Sequence, residues 1–300
     1  MLAPIVKMTA EQNPEVEFTM LSQKRFADLF ADMPSNAIFH GVDLKKQSLL
    51  DIVSGLGSFD MVADMHSVLR SIYIRTAMML KGSKVASIDK GRIEKRVLVS
   101  GRKHQQLKHT SQRYIDVFSK LGLQSIKGIT HVKTTFLPRS GIGIAPFAAH
   151  QGKIYPIQRM EKVVELLSER GEKIILFGGG KKEKDILAAW AAKYPNVESV
   201  AGKYSMKEEL ELMSSLRVMV TMDSGNMHLA SLVGTRVVSI WGATHPYAGF
   251  LGIGQSEKDC VQRNDLDCRP CSTYGNKECR FGDYRCMDIE PQEIVNRIEE

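Results

Sequence analysis

Three places in this chain put polar residues where an apolar strand ends and a helix begins, the arrangement that presents backbone N–H groups to an anion. Most informative is the run from Val218 to Gly234. There Val218-Met219-Val220-Thr221-Met222 leads into Asp223-Ser224-Gly225-Asn226 and an apolar helix that stops at Gly234. The N–H groups around Ser224, Gly225 and Asn226, with the positive end of the helix dipole, would point at a phosphate. Gly225 has no Cβ to keep a ligand from the backbone. A well-capped core helix has the same pattern. Next, Lys173–Phe177 meets Gly178-Gly179-Gly180. These consecutive glycines match neither the dinucleotide fingerprint nor the triphosphate loop, and also suit a plain βα turn. Third, Ile144–Phe147 runs into a small-residue loop with Lys153, whose ammonium could sit over a pyrophosphate and stabilise a leaving group, or simply be solvated.

A fourth pattern is Cys268, Cys271, Cys279 and Cys286, spaced C-x2-C-x7-C-x6-C, with Cys260 outside it. Four thiolates could hold a structural zinc in a tetrahedron; two disulfides or four free thiols are the alternatives. Pro270, Gly275 and Gly282 mark the stretch as a loop excursion, so a metal there would brace the domain rather than catalyse.

The elements that must carry these residues read as alternating strands and amphipathic helices, the signature of parallel-sheet α/β architecture. Strands are expected at Glu17–Leu21, Ala37–Val42, Met61–Asp64, Lys84–Ile88, Ile142–Pro146, Lys173–Phe177, Val218–Thr221 and Val237–Trp241. Helices are expected at Val68–Leu80, Gln112–Leu121, Met160–Glu169, Lys182–Lys193, Met206–Ser215 and Met227–Val233, with another at the C-terminus. Three hundred residues suffice for two domains. The boundary falls in His131–Ser140, giving domains 1–137 and 138–300 that face across a cleft, the second with a Cys-rich loop at 260–286. Met1–Asn13 reads as a helix leading into a strand, so the first domain looks short by one strand and one loop.

Charge is concentrated. The chain is +7, and Lys81–Arg113 alone holds ten Lys and Arg against Asp89 and Glu94, leaving the remainder near neutral. Such a segment attracts phosphate-rich partners or an anionic membrane surface, or is merely solvated. It has no aromatic residue to stack bases, and no nucleic-acid motif is visible, so nucleic acid is not the expected partner. No apolar run approaches the roughly 20 residues of a bilayer span and no signal-peptide pattern opens the chain, so a cytosolic location is expected.

Asp223-Ser224-Gly225-Asn226-Met227-His228-Leu229-Ala230, with Gly234–Pro246 after it, resembles the donor-binding signature of glycosyltransferase family 9, the ADP-heptose:lipopolysaccharide heptosyltransferases. The late Cys-x-x-Cys block and the run Phe59–Arg70 are also similar to family segments. The resemblance implies two Rossmann-like domains in the GT-B arrangement. It also implies inverting transfer of a heptose-like sugar from an ADP-sugar, without a catalytic metal, to a lipid-A-core-like phosphorylated glycolipid. That acceptor would be met at the cytoplasmic face of the inner membrane, with the basic segment holding its phosphates or the membrane surface. By the same resemblance, Asp223 lies beside the donor sugar and Ser224, Gly225 and Asn226 cradle the diphosphate. Lys153 neutralises that diphosphate, Gly178 and Gly179 lie near the nucleoside, and His228 is the motif histidine. Asp64, His66 and Arg70 fall on the acceptor side. Gly180 and Lys181 stand where the family often has an acid. The family's general-base aspartate belongs to an opening strand and loop that would align ahead of Met1. No residue is therefore assigned as base, and the chain reads as a fragment of a full enzyme. A non-catalytic nucleotide-sugar or phospholipid binder is the alternative, and a nucleic-acid-binding α/β protein a more distant one.

Overall fold

The computed structural model describes residues 1–124, 126 and 139–300, which form an α/β protein. The expected boundary at 137/138 lies outside these residues. Two compact units emerge: Met1–Lys90 with Thr110–Ile129, and Gly91–His109 with Thr130–Glu300. The basic segment Lys81–Arg113 is therefore divided, with its central stretch belonging to the second unit.

In the first unit, helix α1 (Leu2–Gln12) precedes strand β1 (Phe18–Gln23), followed by β2 (Ala37–Val42), α2 (Leu49–Gly55), β3 (Met61–Asp64), α3 (Leu69–Leu80) and β4 (Lys84–Ser87). Helix α5 (Thr110–Leu121) completes it. Its strands form two parallel pairs, β1 with β2 and β3 with β4. Phe18 and Met20 of β1, and Ala63 next to Met65 at the end of β3, lean on one apolar cluster built from Ile5 and Val6 of α1, Ile115 and Phe118 of α5, and Ile126.

The second unit carries α4 (Arg92–Val99), β5 (Ile142–Ala145), α6 (Ile157–Glu169), β6 (Ile174–Leu176), α7 (Lys181–Lys193), β7 (Val197–Ser199) and α8 (Met206–Ser215). Then come β8 (Val218–Met222), α9 (Gly225–Leu232), β9 (Arg236–Trp241), β10 (Cys260–Gln262) and α10 (Pro291–Glu299). Its six strands lie in the order β10-β9-β8-β5-β6-β7, all parallel. A sheet covered on both faces needs strands apolar at every position, and β8 is buried at all five. Val218, Val220 and Met222 pack with α6, α7 and α10 on one face, whereas Met219 packs with Met213 and Met227 of α8 and α9 on the other. Gly143 is required in β5, because a Cβ there would come 2.5 Å from both Leu216 Cδ1 and Met219 Sδ.

Most expected strands and helices lie within a few residues of their predicted places. The short strands β7 and β10 and the helices α2 and α4 had no separate prediction; three residues give too little periodicity to read as a strand.

Candidate functional site

Parallel α/β sheets bind ligands beyond the carboxyl ends of their strands, where connections leave neighbouring strands in opposite directions. In the second unit that point lies between β5 and β8, because β5 is flanked by β6 on one side and β8 on the other. The loop after β5 carries Lys153 and the turn after β8 carries Asp223. Lys153 Nζ lies 2.8 Å from Asp223 Oδ2, with the side chains only 15% and 4% exposed. Oδ2 receives no properly aligned hydrogen bond, so the contact is an ion pair by distance alone. A largely desolvated ammonium beside an incompletely satisfied carboxylate is costly to build, and it leaves both groups able to take up a polar ligand.

Asp223 is followed at once by α9. Its N-cap, Ser224, is extended and does not cap the helix with its side chain; the hydroxyl lies 3.1 Å from Thr221 Oγ1 instead. The first-turn amides of α9, among them those of Gly225 and Asn226, thus have no side-chain cap, and a helix start carries roughly half a positive charge. No atom lies within 4 Å of where a Cβ on Gly225 would be, so the backbone is approachable.

His228, one turn into α9, points inward. Its Nδ1 is buried without a hydrogen-bond partner among the described residues, and burial above all lowers its pKa to about 3. It is a neutral imidazole at pH 7. His109 reaches the same neighbourhood from the 91–109 stretch, where its Nε2–H donates to Leu251 O at 2.7 Å. Nothing local in the sequence singles out His109; its place depends on packing.

The Lys153 loop is held by the Cys-rich excursion. Gly152 N–H donates to Gly275 O, and Ala243 N–H, at the end of β9, donates to Gly152 O at 2.8 Å. Ala243 O in turn accepts from the N–H groups of Cys271 and Ser272, and Ser272 Oγ accepts from Gly275 N–H at 2.9 Å. Gly275 has φ +73, and a Cβ on it would come 2.6 Å from Lys153 Cγ. The glycine thus makes room for the lysine stem, a contact the sequence does not reveal because 122 residues separate the pair.

The other predicted residues are arranged differently. Gly178 and Gly179 follow β6, but the turn's amides are already engaged: Gly179 N–H donates to Glu183 Oε2 at 2.8 Å, and Gly180 N–H reaches the same oxygen. Glu183 at the start of α7 is therefore the acid of this turn, a few residues beyond the position the family pattern suggested. In the first unit Asp64 is internally occupied. Its carboxylate accepts from the N–H groups of His66 and Ser67, from Ser71 Oγ and from Arg75 Nη1, folding the turn that carries exposed His66 and Arg70.

Of the three readings left open for the cysteines, free thiols are what the structure holds. All five are free thiols, and among the described residues no group of three or more His, Cys, Asp or Glu side chains could hold a metal ion. They differ in acidity. Burial pushes Cys286 and Cys260 up to about 11. At Cys279 burial also pulls upward, but the N–H groups of Phe281, Tyr284, Gly282 and Asp283 outweigh it and hold the thiol below its usual value.

Residues 55–281 match the family model described as glycosyltransferase family 9 (heptosyltransferase). Lipooligosaccharide heptosyltransferase 2 of Campylobacter jejuni subsp. jejuni serotype O:2 is 23% identical, the alignment covering all of this chain and 93% of the relative. Among solved structures, the glycosyltransferase family 9 protein of Veillonella parvula superposes with a TM-score of 0.73 at 16% identity, over 99% of this chain and 91% of that one. The E. coli heptosyltransferase WaaC with ADP gives 0.63 at 18% identity, over 86% and 87%. At these identities the structural matches speak for the fold, while the match over most of the sequence decides the family: the chain belongs to glycosyltransferase family 9, the heptosyltransferases.

Proposed function

We propose that this glycosyltransferase moves a heptose from ADP-heptose, with inversion, to a lipooligosaccharide-core-like acceptor. The observation that carries the reading is the desolvated Lys153–Asp223 pair at the β5/β8 switch point, directly before the uncapped start of α9. Support for the donor comes from the WaaC structure, which was solved with ADP, and for the acceptor class from the name of the Campylobacter relative. The diphosphate takes the amides at Ser224, Gly225 and Asn226 and draws Lys153 from Asp223 towards its charge. As the acceptor hydroxyl bonds to the anomeric carbon, losing its proton to water, and the bond to the diphosphate breaks, negative charge grows on the leaving phosphate, where the ammonium and the helix dipole already point. Asp223, released from the lysine, takes a sugar hydroxyl. His228, neutral, supplies a hydrogen-bonding nitrogen rather than a charge. Gly178 and Gly179 lie towards the nucleoside, with Glu183 competing for the Gly179 amide. His66 and Arg70 hold the acceptor, on a turn that Asp64 folds. The protein acts at a membrane surface where such acceptors are anchored; no helix among the described residues is long and apolar enough to cross a membrane.

The test is transfer of radiolabelled heptose from ADP-heptose to heptose-deficient lipopolysaccharide, with ADP as competitor. Transfer inhibited by ADP is expected, and EDTA should leave the rate unchanged because Lys153 supplies the positive charge. No transfer, together with no protection against thermal unfolding by ADP, overturns the reading.

A further inference from the structure

Helix α3 exposes a surface that nothing in the site uses. Leu69, Tyr73, Thr76 and Leu80 recur at four- and three-residue steps, so they form one stripe along the helix, directly opposite buried Met78. Leu69 is 86% exposed and Leu80 82%, with Tyr73 and Met79 also exposed on this helix and Leu50 exposed on α2, which packs beside it. Solvent-exposed leucines aligned on one helical face are unusual for a soluble surface.

The charge along the helix and its flanks is basic. Residues 65–88 contain Arg70, Arg75, Lys81 and Lys84 and no Asp or Glu, while the neighbouring elements add exposed Asp51 on α2 and Asp60 before β3. Arg75 is neutralised by Asp64, at 3.1 Å. Among the described residues Lys81 and Lys84 hydrogen-bond to carbonyl oxygens, of Val53 and Gly57 and of Leu121, which leave their charge uncompensated. Arg70 is exposed next to Leu69. An apolar stripe with a tyrosine among its leucines and a cationic border matches a helix lying flat in the headgroup region of an anionic bilayer. Two such stripes meeting in a dimer would bring like charges together. At 12 residues α3 lies in the interface and does not span it.

We infer that the Leu69–Tyr73–Leu80 face of α3 docks this enzyme on anionic lipid bilayers, its apolar side chains entering the acyl boundary and Arg70 and Lys81 meeting the headgroup phosphates. The docked helix begins at Leu69, within the His66–Arg70 run, so it would bring those residues to a lipid-anchored acceptor. Only this last link rests on the acceptor reading above.

The experiment is co-sedimentation of the full chain with vesicles, without donor or acceptor. Binding to phosphatidylglycerol/phosphatidylcholine vesicles, and at least tenfold weaker binding to phosphatidylcholine alone, is expected. The combined change Leu69→Ser, Tyr73→Ser and Leu80→Ser should lower binding to anionic vesicles at least tenfold with unchanged melting temperature. Should the triple variant misfold, Leu80→Trp serves instead, its emission shifting to the blue on anionic vesicles. Equal binding by wild type and variant, no wild-type binding, an unshifted tryptophan, or a solution dimer that the variant dissociates would each overturn the inference. Intact vesicle binding with no heptose transfer would count against the proposed reaction and leave the docking face standing.

Discussion

At the residue scale, Lys153 and Asp223 depend on each other. Removing the lysine leaves a buried carboxylate without its counter-charge, whereas removing the carboxylate frees the ammonium for the diphosphate. Lys153→Ala should therefore lower transfer about 10²–10³-fold, in the range found when one transition-state charge donor is lost. Asp223→Asn should keep ADP affinity and lose transfer. Steady-state kinetics with ADP titration separates the two, and a Lys153→Ala variant with full activity would refute the assignment. Gly275→Ala tests the brace. It places a Cβ against the lysine stem in a left-handed conformation that costs about 1–2 kcal/mol for a non-glycine residue. Weaker ADP binding is expected, and the effect should vanish in a Lys153→Ala background; persistence there would mean that Gly275 acts only on stability. Cys279 should be the first thiol alkylated by iodoacetamide as pH rises, well before Cys260 or Cys286, which mass spectrometry can order.

At the element scale, the 91–109 stretch is the clearest departure from sequence order. Leu98 and Leu107 bury against Ala248, Leu107 N–H donates to Tyr247 O at 2.9 Å, and Lys95 stacks over Phe250. These contacts carry His109 to His228. Leu98→Ala opens a cavity in this small cluster and should cost about 2–3 kcal/mol. Hydrogen exchange should then rise across residues 91–109 while β5 and β8 keep their protection. Charge alone suggested that Lys81–Arg113 acts as one basic surface. Its apolar residues at 98 and 107 instead fasten the middle of it to the second unit, and a count of charges is blind to that. The elements of the site were more legible: the β8–turn–α9 pattern is local, whereas the bonding of the glycine turn after β6 to Glu183 was not visible, because that acid lies inside the next helix.

At the scale of the whole molecule, buried histidines make stability depend on pH: His109 is lowered by burial, and two others are shifted further. Burial lowers His228 to about 3 and His245 to about 4, the latter also feeling Arg269 and His104. Both folded-state values lie below the unfolded value near 6.5, so protonation favours the unfolded chain. Their contribution is complete above pH 6.5 and is lost as pH falls towards about 4 for His245 and about 3 for His228, at up to about 1.4 kcal/mol per pH unit for each. Thermal melts between pH 7.5 and 4.5 should show the decline, and His228→Asn should flatten it. An equal slope in wild type and variant would mean that His228 is solvated.

What the amino-acid sequence determined by itself was whatever depends on neighbours along the chain: the α/β class, the four strands β5, β6, β8 and β9 of the second sheet, the glycine-bearing start of α9, the position of Lys153 after a strand and the family signature. Apolar periodicity, cap residues and turn chemistry act over a few residues, so they can be read directly. The tertiary structure decided the rest. Placing β5 beside β8 brought Lys153 to Asp223; the excursion that folds back set Gly275 under the lysine; the stretch around Leu98 left its chain neighbours for another core; and the four thiols came to no common metal geometry. Each outcome joins residues distant in the chain, and their meeting depends on strand order and on which apolar surfaces find one another, quantities that no local pattern encodes.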